Sequence, residues 1–157
     1  METINYVKGD ATSPKTDGNK IIVHICNDIG AWGKGFVLAI SKKWKAPKTE
    51  YQNWHKSKEN FQLGEVQIIQ VEKDIWVANV IGQHKIYNDE FGQPPIRYDA
   101  VSSGLKKVGS FAKNNNATIH MPRIGCGLAG GTWDKIEPLI NQNLITNEIK
   151  TYVYDLE

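Results

Sequence analysis

The segment from Ala117 to Trp133, ATIHMPRIGCGLAGGTW, constrains the fold of this chain more than any other part of its sequence. Its pattern is typical of a short β-branched strand, a glycine-rich loop and a helix that begins after Thr132. Such a junction presents unpaired backbone N–H groups at a helix N-terminus, where anions bind readily. The segment therefore predicts a phosphate site, and the alternative is a tight turn that binds no ligand.

Three glycines of this loop, Gly125, Gly127 and Gly130, also match the G-x-G-x-x-G pattern of dinucleotide-binding folds. That pattern belongs to the first strand–turn–helix unit of such a fold, with several strands still to follow. Here only a single strand candidate follows. The position of the motif argues against a conventional dinucleotide-binding fold and leaves phosphate binding by a late loop.

Length, charge and cysteine usage narrow the class of protein. The 157 residues suffice for one domain, 1–157, that buries its own core. The two cysteines lie far apart and outside any C-x-x-C pattern, so we predict no disulfide framework, no metal site and no cofactor. A net charge of +2 argues against a large nucleic-acid footprint. No apolar run approaches the ~20 residues of a membrane span, and the N-terminal residues lack a signal-peptide pattern, so we expect a cytoplasmic protein.

Strand-like and helix-like segments alternate along the chain. The six strand candidates are 4–7, 20–26, 65–71, 75–81, 117–121 and 150–154, and the third and fourth form a hairpin that turns at Lys73 and Asp74. The helix candidates are 36–45, 95–113 and 132–144, the last containing Pro138, which is placed to kink it. This alternation predicts an α/β fold with a mixed, mainly parallel six-stranded sheet and helices on both faces.

Glycine-bearing polar segments follow four of the predicted strands, and in such sheets ligands bind beyond the carboxyl ends of the strands. These segments are Gly9–Asp10, 27–35, 82–84 and 122–131. If the strands run parallel, the loops at 27–35 and 122–131 face one another across one cleft and suit two phosphates. Neither loop spells a Walker motif, and backbone amides can hold a diphosphate without a metal.

Five motifs occur in an order that resembles the macrodomain family: VKGD at 7–10, HICN at 24–27, GKGF at 33–36, MPRIGCGL at 121–128 and YVYDL at 152–156. The resemblance spans essentially the whole chain. It is strongest to the branch that holds terminal ADP-ribose protein glycohydrolases, antitoxins that reverse DNA ADP-ribosylation and yeast-type ADP-ribose 1''-phosphate phosphatases. It implies a three-layer α/β/α sandwich that binds ADP-ribose.

The resemblance also implies roles for residues of this chain. Asp10 would bond the adenine amino group, Tyr154 would line the adenine pocket, residues 33–36 would contact the distal ribose and diphosphate, and residues 124–128 would wrap the phosphates. The implied ligand-binding set is Gly9, Asp10, Ala11, Gly33, Lys34, Gly35, Phe36, Gln83, Pro122, Ile124, Gly125, Cys126, Gly127, Leu128 and Tyr154. The partner would be ADP-ribose or an ADP-ribosylated small molecule, protein or nucleic acid, with no membrane involved, and the protein would act as a monomer.

Two positions depart from the glycohydrolase branch. Its attacking lysine is replaced by Gln83, and the aspartate that follows its Gly-Cys-Gly-Leu motif is replaced by Ala129. Glutamine cannot form a Schiff base and alanine cannot transfer a proton, so that lysine-dependent mechanism is not expected. Lys85 is near but not aligned, and we interpret it as a surface residue.

The remaining candidates for catalysis are Asn27, Asp28 and His24, with His84 beside them. The resemblance implies that Asn27 fixes the distal ribose hydroxyls, and Asp28 or a histidine would activate water. The alternatives are that His24 is a core histidine and that Asp28 caps a turn. The sequence thus favours an enzyme that removes a group from the distal ribose, either a phosphate or an ADP-ribosyl ester, over a module that only reads ADP-ribose. We also expect Gly127 to need a positive φ and to let the backbone approach the phosphates.

Overall fold

The computed structural model of the protein describes residues 2–156. The strands in this range are β1 (Asn5–Lys8), β2 (Asn19–Asn27), β3 (Val66–Glu72), β4 (Ile75–Gln83), β5 (Ala117–Met121) and β6 (Thr151–Asp155). The helices are α1 (Phe36–Lys43), α2 (Ala46–Ser57), α3 (Tyr98–Asn114) and α4 (Trp133–Asn143).

The six strands form one mixed sheet in the order β1-β6-β5-β2-β4-β3. Every neighbouring pair is parallel except β3 and β4, which form an antiparallel hairpin that turns at Lys73 and Asp74. The predicted α/β class and the predicted hairpin are therefore confirmed. The strand order brings the carboxyl ends of β1, β2, β4, β5 and β6 to one edge of the sheet.

The helices differ from the prediction in three places. The helix predicted over 36–45 ends at Lys43, because Trp44 is extended (φ −140°, ψ 135°) and α2 begins two residues later with Pro47 in its first turn. The sequence pattern did not predict α2, since only Pro47 and Tyr51 of its residues are buried and no apolar stripe results. Helix α3 begins at Tyr98 rather than at residue 95, because Arg97 is extended. Pro138 lies inside α4 without ending it.

The core has two layers, one on each face of the sheet. Side chains of β2 alternate between the two faces of the sheet, so that Ile21 and Val23 lie on one face and Ile22 and Cys26 on the other. The first layer packs β2, β4, β5 and β6 against α3 and α4, and includes Val101, Leu105, Val108, Ile136, Ile140 and Leu144. The second packs the opposite face against α1 and α2, and includes Trp32, Val37, Ile40 and Tyr51. This is the predicted three-layer arrangement.

Within residues 2–156, no helix is long and apolar enough to cross a membrane.

Candidate functional site

A continuous cleft runs along the carboxyl edge of the sheet, and three connected spaces form it. The proximal chamber, about 410 Å³, is lined by Gly9, Asp10, Ala11, Gly35, Phe36, Ala39, Pro122, Tyr154 and Leu156. The neck, about 210 Å³, is lined by His24, Ile25, residues 34–37, Gln83, residues 122–125 and residues 127–129. The distal chamber, about 350 Å³, is lined by Ile25, Cys26, Asn27, Ala31, Gly33, Lys34, Val37, Gln83, Ile86 and Leu128. Both chambers fall in the roughly 300–1,000 Å³ range of ligand pockets.

The cleft unites nearly all of the residues predicted to bind ligand. The two glycine-rich loops face one another across the neck, Asp10 and Tyr154 lie at the proximal end, and Gln83 lies where the neck meets the distal chamber. Cys126 is the exception, because its neighbours Gly125 and Gly127 line the neck but Cys126 lines none of the three spaces. Sequence reasoning missed Arg123, Val37 and Ile86, which also line the cleft.

Asp10 is prepared to accept a hydrogen bond in the proximal chamber. Its Oδ1 accepts from the Thr12 backbone N (2.8 Å) and Oγ1 (2.7 Å). Partial burial raises the pKa of Asp10, but the hydrogen bonds from Thr12 and the charge of Lys43 outweigh it and hold the pKa below the usual value. Among residues 2–156, no hydrogen bond uses its Oδ2. A charged oxygen at this position therefore remains available to a donor on a ligand.

Tyr154 forms the opposite wall of the proximal chamber. Its hydroxyl lies 2.7 Å from Nδ1 of His120, and the His120 ring stacks on Tyr152 with 5.0 Å between ring centroids. His120 is buried and contacts Thr118 Oγ1 through Nε2 at 2.8 Å. These contacts hold the Tyr154 side chain in place in the chamber lining.

The loop between β5 and α4 takes its shape from Gly125 and Gly131. Gly125 has φ +72°, and a Cβ there would lie 2.7 Å from Ile96 Cδ1. The Gly131 N–H donates to the Gly125 carbonyl oxygen over 2.7 Å, and a Cβ at Gly131 would lie 2.5 Å from that oxygen. The expectation of a positive φ at Gly127 is wrong, because the left-handed turns are made at Gly125 and Gly130. A Cβ at Gly127 would meet no atom within 4 Å.

Arg123 fixes the same loop to the sheet. Its Nε and one terminal nitrogen donate to the two carboxylate oxygens of Asp155 at 2.7 and 2.9 Å. The guanidinium also lies 4.9 Å from the ring centroid of Trp133 and 5.2 Å from that of Tyr6. The loop is therefore anchored to β1, β6 and α4 at once.

Asn27 shapes the loop that follows β2. Its Oδ1 accepts from the backbone N–H groups of Ile29 and Ala31, both at 3.0 Å, and its Nδ2 donates to the Ala31 carbonyl at 2.7 Å. The Tyr51 hydroxyl lies 2.6 Å from the Asn27 backbone oxygen and 2.9 Å from Oδ1. Both the Oδ1 and the Nδ2 of Asn27 are thus hydrogen-bonded within the loop. A contact between Asn27 and a distal ribose stays a prediction.

His24 is a buried residue that also borders the neck of the cleft. Its ring is 2% exposed, its Nε2 contacts Asn79 Oδ1, and it packs edge-on against Trp32. Burial lowers the pKa of His24 to about 4, although the Asn79 contact raises it in part. The imidazole is therefore neutral near pH 7. The buried ring is what the core interpretation of His24 expects, and a catalytic role for His24 stays a prediction.

Asp28 pairs with His84, and each follows a residue that lines the distal chamber, Asn27 or Gln83, without lining the cleft itself. Its Oδ2 lies 2.7 Å from His84 Nδ1, and its Oδ1 accepts from the Lys85 backbone N–H at 2.7 Å. The sequence put both residues among the candidates but did not predict that they contact one another. The simple turn-cap interpretation of Asp28 is therefore incomplete.

The two positions that depart from the glycohydrolase branch lie in the neck. Gln83 donates from Nε2 to the Lys85 carbonyl at 2.9 Å and borders both the neck and the distal chamber. Ala129 is buried and accepts from Ile96 N through its carbonyl. Lys85 is exposed. Within residues 2–156, no group of three or more His, Cys, Asp or Glu side chains is arranged to hold a metal ion.

The two buried histidines predict a pH-dependent stability. Burial lowers the pKa of His24 and of His120 to about 4, against an ordinary value of 6.5. Between those values the unfolded chain binds protons that the folded chain does not, so the free energy of unfolding falls as the pH drops. Within this pH range, each histidine changes the free energy of unfolding by up to about 1.4 kcal/mol per pH unit.

Urea denaturation between pH 7 and pH 4.5 measures this slope. His24→Gln is expected to flatten it, because the side chain that binds the additional proton in the unfolded chain is removed. Equal slopes in the wild type and His24→Gln would contradict the expectation.

Comparison with known proteins places the fold and the cleft in a family. No protein-family profile matches the chain. A solved protein of unknown function from Bacteroides thetaiotaomicron is 60% identical, with a TM-score of 0.97 and 98% of each chain covered. A macrodomain protein from Streptomyces coelicolor is 48% identical, with a TM-score of 0.88 and coverage of 98% of this chain and 99% of that one. The chain belongs to the macrodomain family.

Curated relatives differ in size and in the activities that their names state. The chain is 33% identical over 162 residues to the mouse chromodomain-helicase-DNA-binding protein 1-like, matching 97% of this chain but spanning only 18% of that relative's length. It is 27% identical to the human ADP-ribose glycohydrolase OARD1, matching 98% of this chain and 91% of that protein. It is 25% identical to an ADP-ribose 1''-phosphate phosphatase of Meyerozyma guilliermondii, matching 98% and 99%.

Proposed function

We propose that this protein binds ADP-ribose along the cleft and hydrolyses a group carried by the distal ribose. The observation that carries the proposal is the path of the cleft, from the Asp10 carboxylate, through a neck between two glycine-rich loops, to a separate distal chamber. The adenine would lie in the proximal chamber, the diphosphate in the neck and the distal ribose in the distal chamber. The names of the curated hydrolase relatives that match along nearly their whole length support the same reading.

The neck suits a diphosphate for an electrostatic reason. Gly35 precedes α1, and no side chain of residues 2–156 caps the N-terminus of that helix, so its first backbone N–H groups can donate to a ligand. On the opposite side, the Gly125–Ala129 segment is held open by the hydrogen bond between Gly131 and Gly125. Lys34 adds a positive charge to the lining. Backbone donors and one cation can hold two phosphates without a metal ion.

A module that only reads ADP-ribose is the second candidate function. Gln83 and Ala129 favour it, because they replace the lysine and aspartate that the glycohydrolase branch would use. Turnover separates the candidates. We expect release of phosphate from ADP-ribose 1''-phosphate or of acetate from O-acetyl-ADP-ribose, and little action on glutamate-linked ADP-ribose. Tight binding of ADP-ribose without turnover of any derivative would favour the reader.

Replacing Asp10 by alanine tests the binding half of the proposal. We expect the free energy of ADP-ribose binding to weaken by about 1.5–3 kcal/mol, because a hydrogen bond to a charged group is lost. The Kd then rises roughly 10- to 150-fold. Calorimetry in EDTA measures this, and the wild type should bind AMP much more weakly than ADP-ribose. Asp17→Ala, an exposed aspartate of the same β1–β2 connection, is the matched control and should bind normally. An unchanged Kd in a folded Asp10→Ala protein would remove Asp10 from the site.

We further propose that residues 1–157 form a single macrodomain that acts as a cytoplasmic monomer. Support for one domain comes from the solved Bacteroides structure, which matches 98% of both chains. Both Cys26 and Cys126 are free thiols, as suits a reducing compartment. Light scattering of the purified protein tests the monomer, since a dimer would show twice the 17.7 kDa mass.

A further inference from the structure

His84 differs from the other three histidines of the chain in its accessibility and its partner. His24 and His120 are buried, and His55 packs edge-on against Phe61 on α2. Within residues 2–156, His84 is the one histidine that contacts a carboxylate, since its Nδ1 lies 2.7 Å from Asp28 Oδ2. The Asp28 side chain is 16% exposed and that of His84 is 42% exposed. The carboxylate is therefore shielded while the imidazole remains open to a ligand or to water.

The pair is fixed from several directions. Asp28 is held by the Lys85 backbone N–H, and the His84 backbone N–H donates to the Pro95 carbonyl at 2.8 Å. With Nδ1 protonated and donating to Asp28, Nε2 carries the free lone pair of the neutral ring. No hydrogen bond within residues 2–156 involves that nitrogen. This is the arrangement in which a carboxylate sets the tautomer and orientation of a histidine base.

The pair is flanked on both loops by residues that line the distal chamber. Asn27 precedes Asp28, while Gln83 and Ile86 stand on either side of His84 in sequence, and all three line that chamber. His84 also borders a polar pocket whose other titratable or charged side chains are Lys85, Tyr87, Asp89, Glu90 and Arg97. These groups and Asp28 are the titratable or charged side chains around the imidazole.

We propose that Asp28 and His84 form the proton-transfer pair for hydrolysis at the distal ribose, an inference that rests on the proposed function. His84 Nε2 takes a proton from a water molecule as the water oxygen bonds to the phosphorus or carbonyl carbon attached to a ribose oxygen. The bond between that atom and the ribose oxygen then breaks, and the ribose oxygen keeps the electron pair. It receives the proton from Nε2, which returns the imidazole to its neutral form. Asp28 stabilises the imidazolium that forms between the two transfers.

Two variants of His84 and one control variant test the pair, with ADP-ribose 1''-phosphate and O-acetyl-ADP-ribose as substrates. His84→Gln is expected to lower kcat by about 10²- to 10⁴-fold, while the Kd for ADP-ribose changes by less than about 3-fold. The fall in kcat toward acidic pH that protonation of the wild-type base causes should disappear in this variant. Added imidazole should restore part of the turnover of His84→Ala, which a purely structural role would not allow. Asn88→Ala, an exposed residue of the same loop, is the matched control.

The outcomes separate this inference from the proposed function. A kcat for His84→Gln within about 3-fold of wild type overturns the pair and leaves ADP-ribose hydrolysis standing. A variant that loses ADP-ribose binding but keeps kcat overturns it as well, because His84 would then serve binding. A wild type that binds ADP-ribose but hydrolyses neither substrate overturns both the pair and the hydrolase. A wild type that shows no binding of ADP-ribose overturns the proposed function itself.

Discussion

Gly127→Val is expected to weaken ADP-ribose binding by about 100-fold, near 2.7 kcal/mol, while the protein keeps its wild-type stability. A Cβ at Gly127 points into open space, so no protein atom is displaced. Gly127 is one of the residues that line the neck between the two loops, where we place the diphosphate. A branched side chain there overlaps the ligand instead of the protein, and overpacking of this kind costs about 1–3 kcal/mol.

Calorimetry and thermal denaturation of a graded series test this expectation. Gly127→Ala should lose less affinity than Gly127→Val, and both should unfold near the wild-type temperature. Gly131→Ala is the contrasting variant, because its Cβ would lie 2.5 Å from a backbone oxygen and must distort the loop. It should lose stability as well as affinity. If Gly127→Val binds ADP-ribose within about 3-fold of wild type, the phosphates lie elsewhere.

Asn27→Ala is expected to lower the free energy of unfolding by about 2–4 kcal/mol, because it leaves several loop groups without partners at once. The backbone N–H groups of Ile29 and Ala31 lose their acceptor, and the Ala31 carbonyl loses its donor. Tyr51 keeps the Asn27 backbone oxygen, so its hydroxyl remains paired. The loop that lines the distal chamber would loosen, and ADP-ribose binding should weaken with it.

Urea denaturation of matched variants measures the effect. Asn27→Asp keeps the acceptor for the two N–H groups, but its second carboxylate oxygen replaces the amide donor and faces the Ala31 carbonyl oxygen, so it should lose stability as well. Tyr51→Phe removes one hydroxyl from the same network and should cost about 1 kcal/mol. A loss of less than about 0.5 kcal/mol in Asn27→Ala would show that the loop holds its shape without the amide.

The sheet was predictable because strand signals are local. Alternating or continuous apolar residues identify β2, β4 and β5 from their own sequence, and the turn at Lys73 and Asp74 joins neighbours in the chain. Helix α2 was not predictable, because it lacks such a local signal. That helix buries only Pro47 and Tyr51, so its residues carry no apolar period, and its position depends on Tyr51 reaching Asn27 in the second core layer.

Most of the ligand cleft was also predictable, because parallel strands place the loops that follow them at one edge of the sheet. Gly35, Gly125 and Gln83 lie where this rule puts them. The position of the loops at one edge of the sheet does not specify which glycine has a positive φ. Gly125 rather than Gly127 has the positive φ, since the loop closes through the hydrogen bond from Gly131 and packs against Ile96 from a different segment.

The sequence by itself determined the fold class, the family and the set of loops around the cleft, because local patterning and ordered motifs carry that information. Tertiary structure decided the chemistry of the individual side chains. His24 is neutral because the second core layer closes over it, and His84 is paired because the order of β2 and β4 brings Asp28 next to it from 56 residues away. Burial and pairing depend on residues distant in the chain, and no local pattern encodes them.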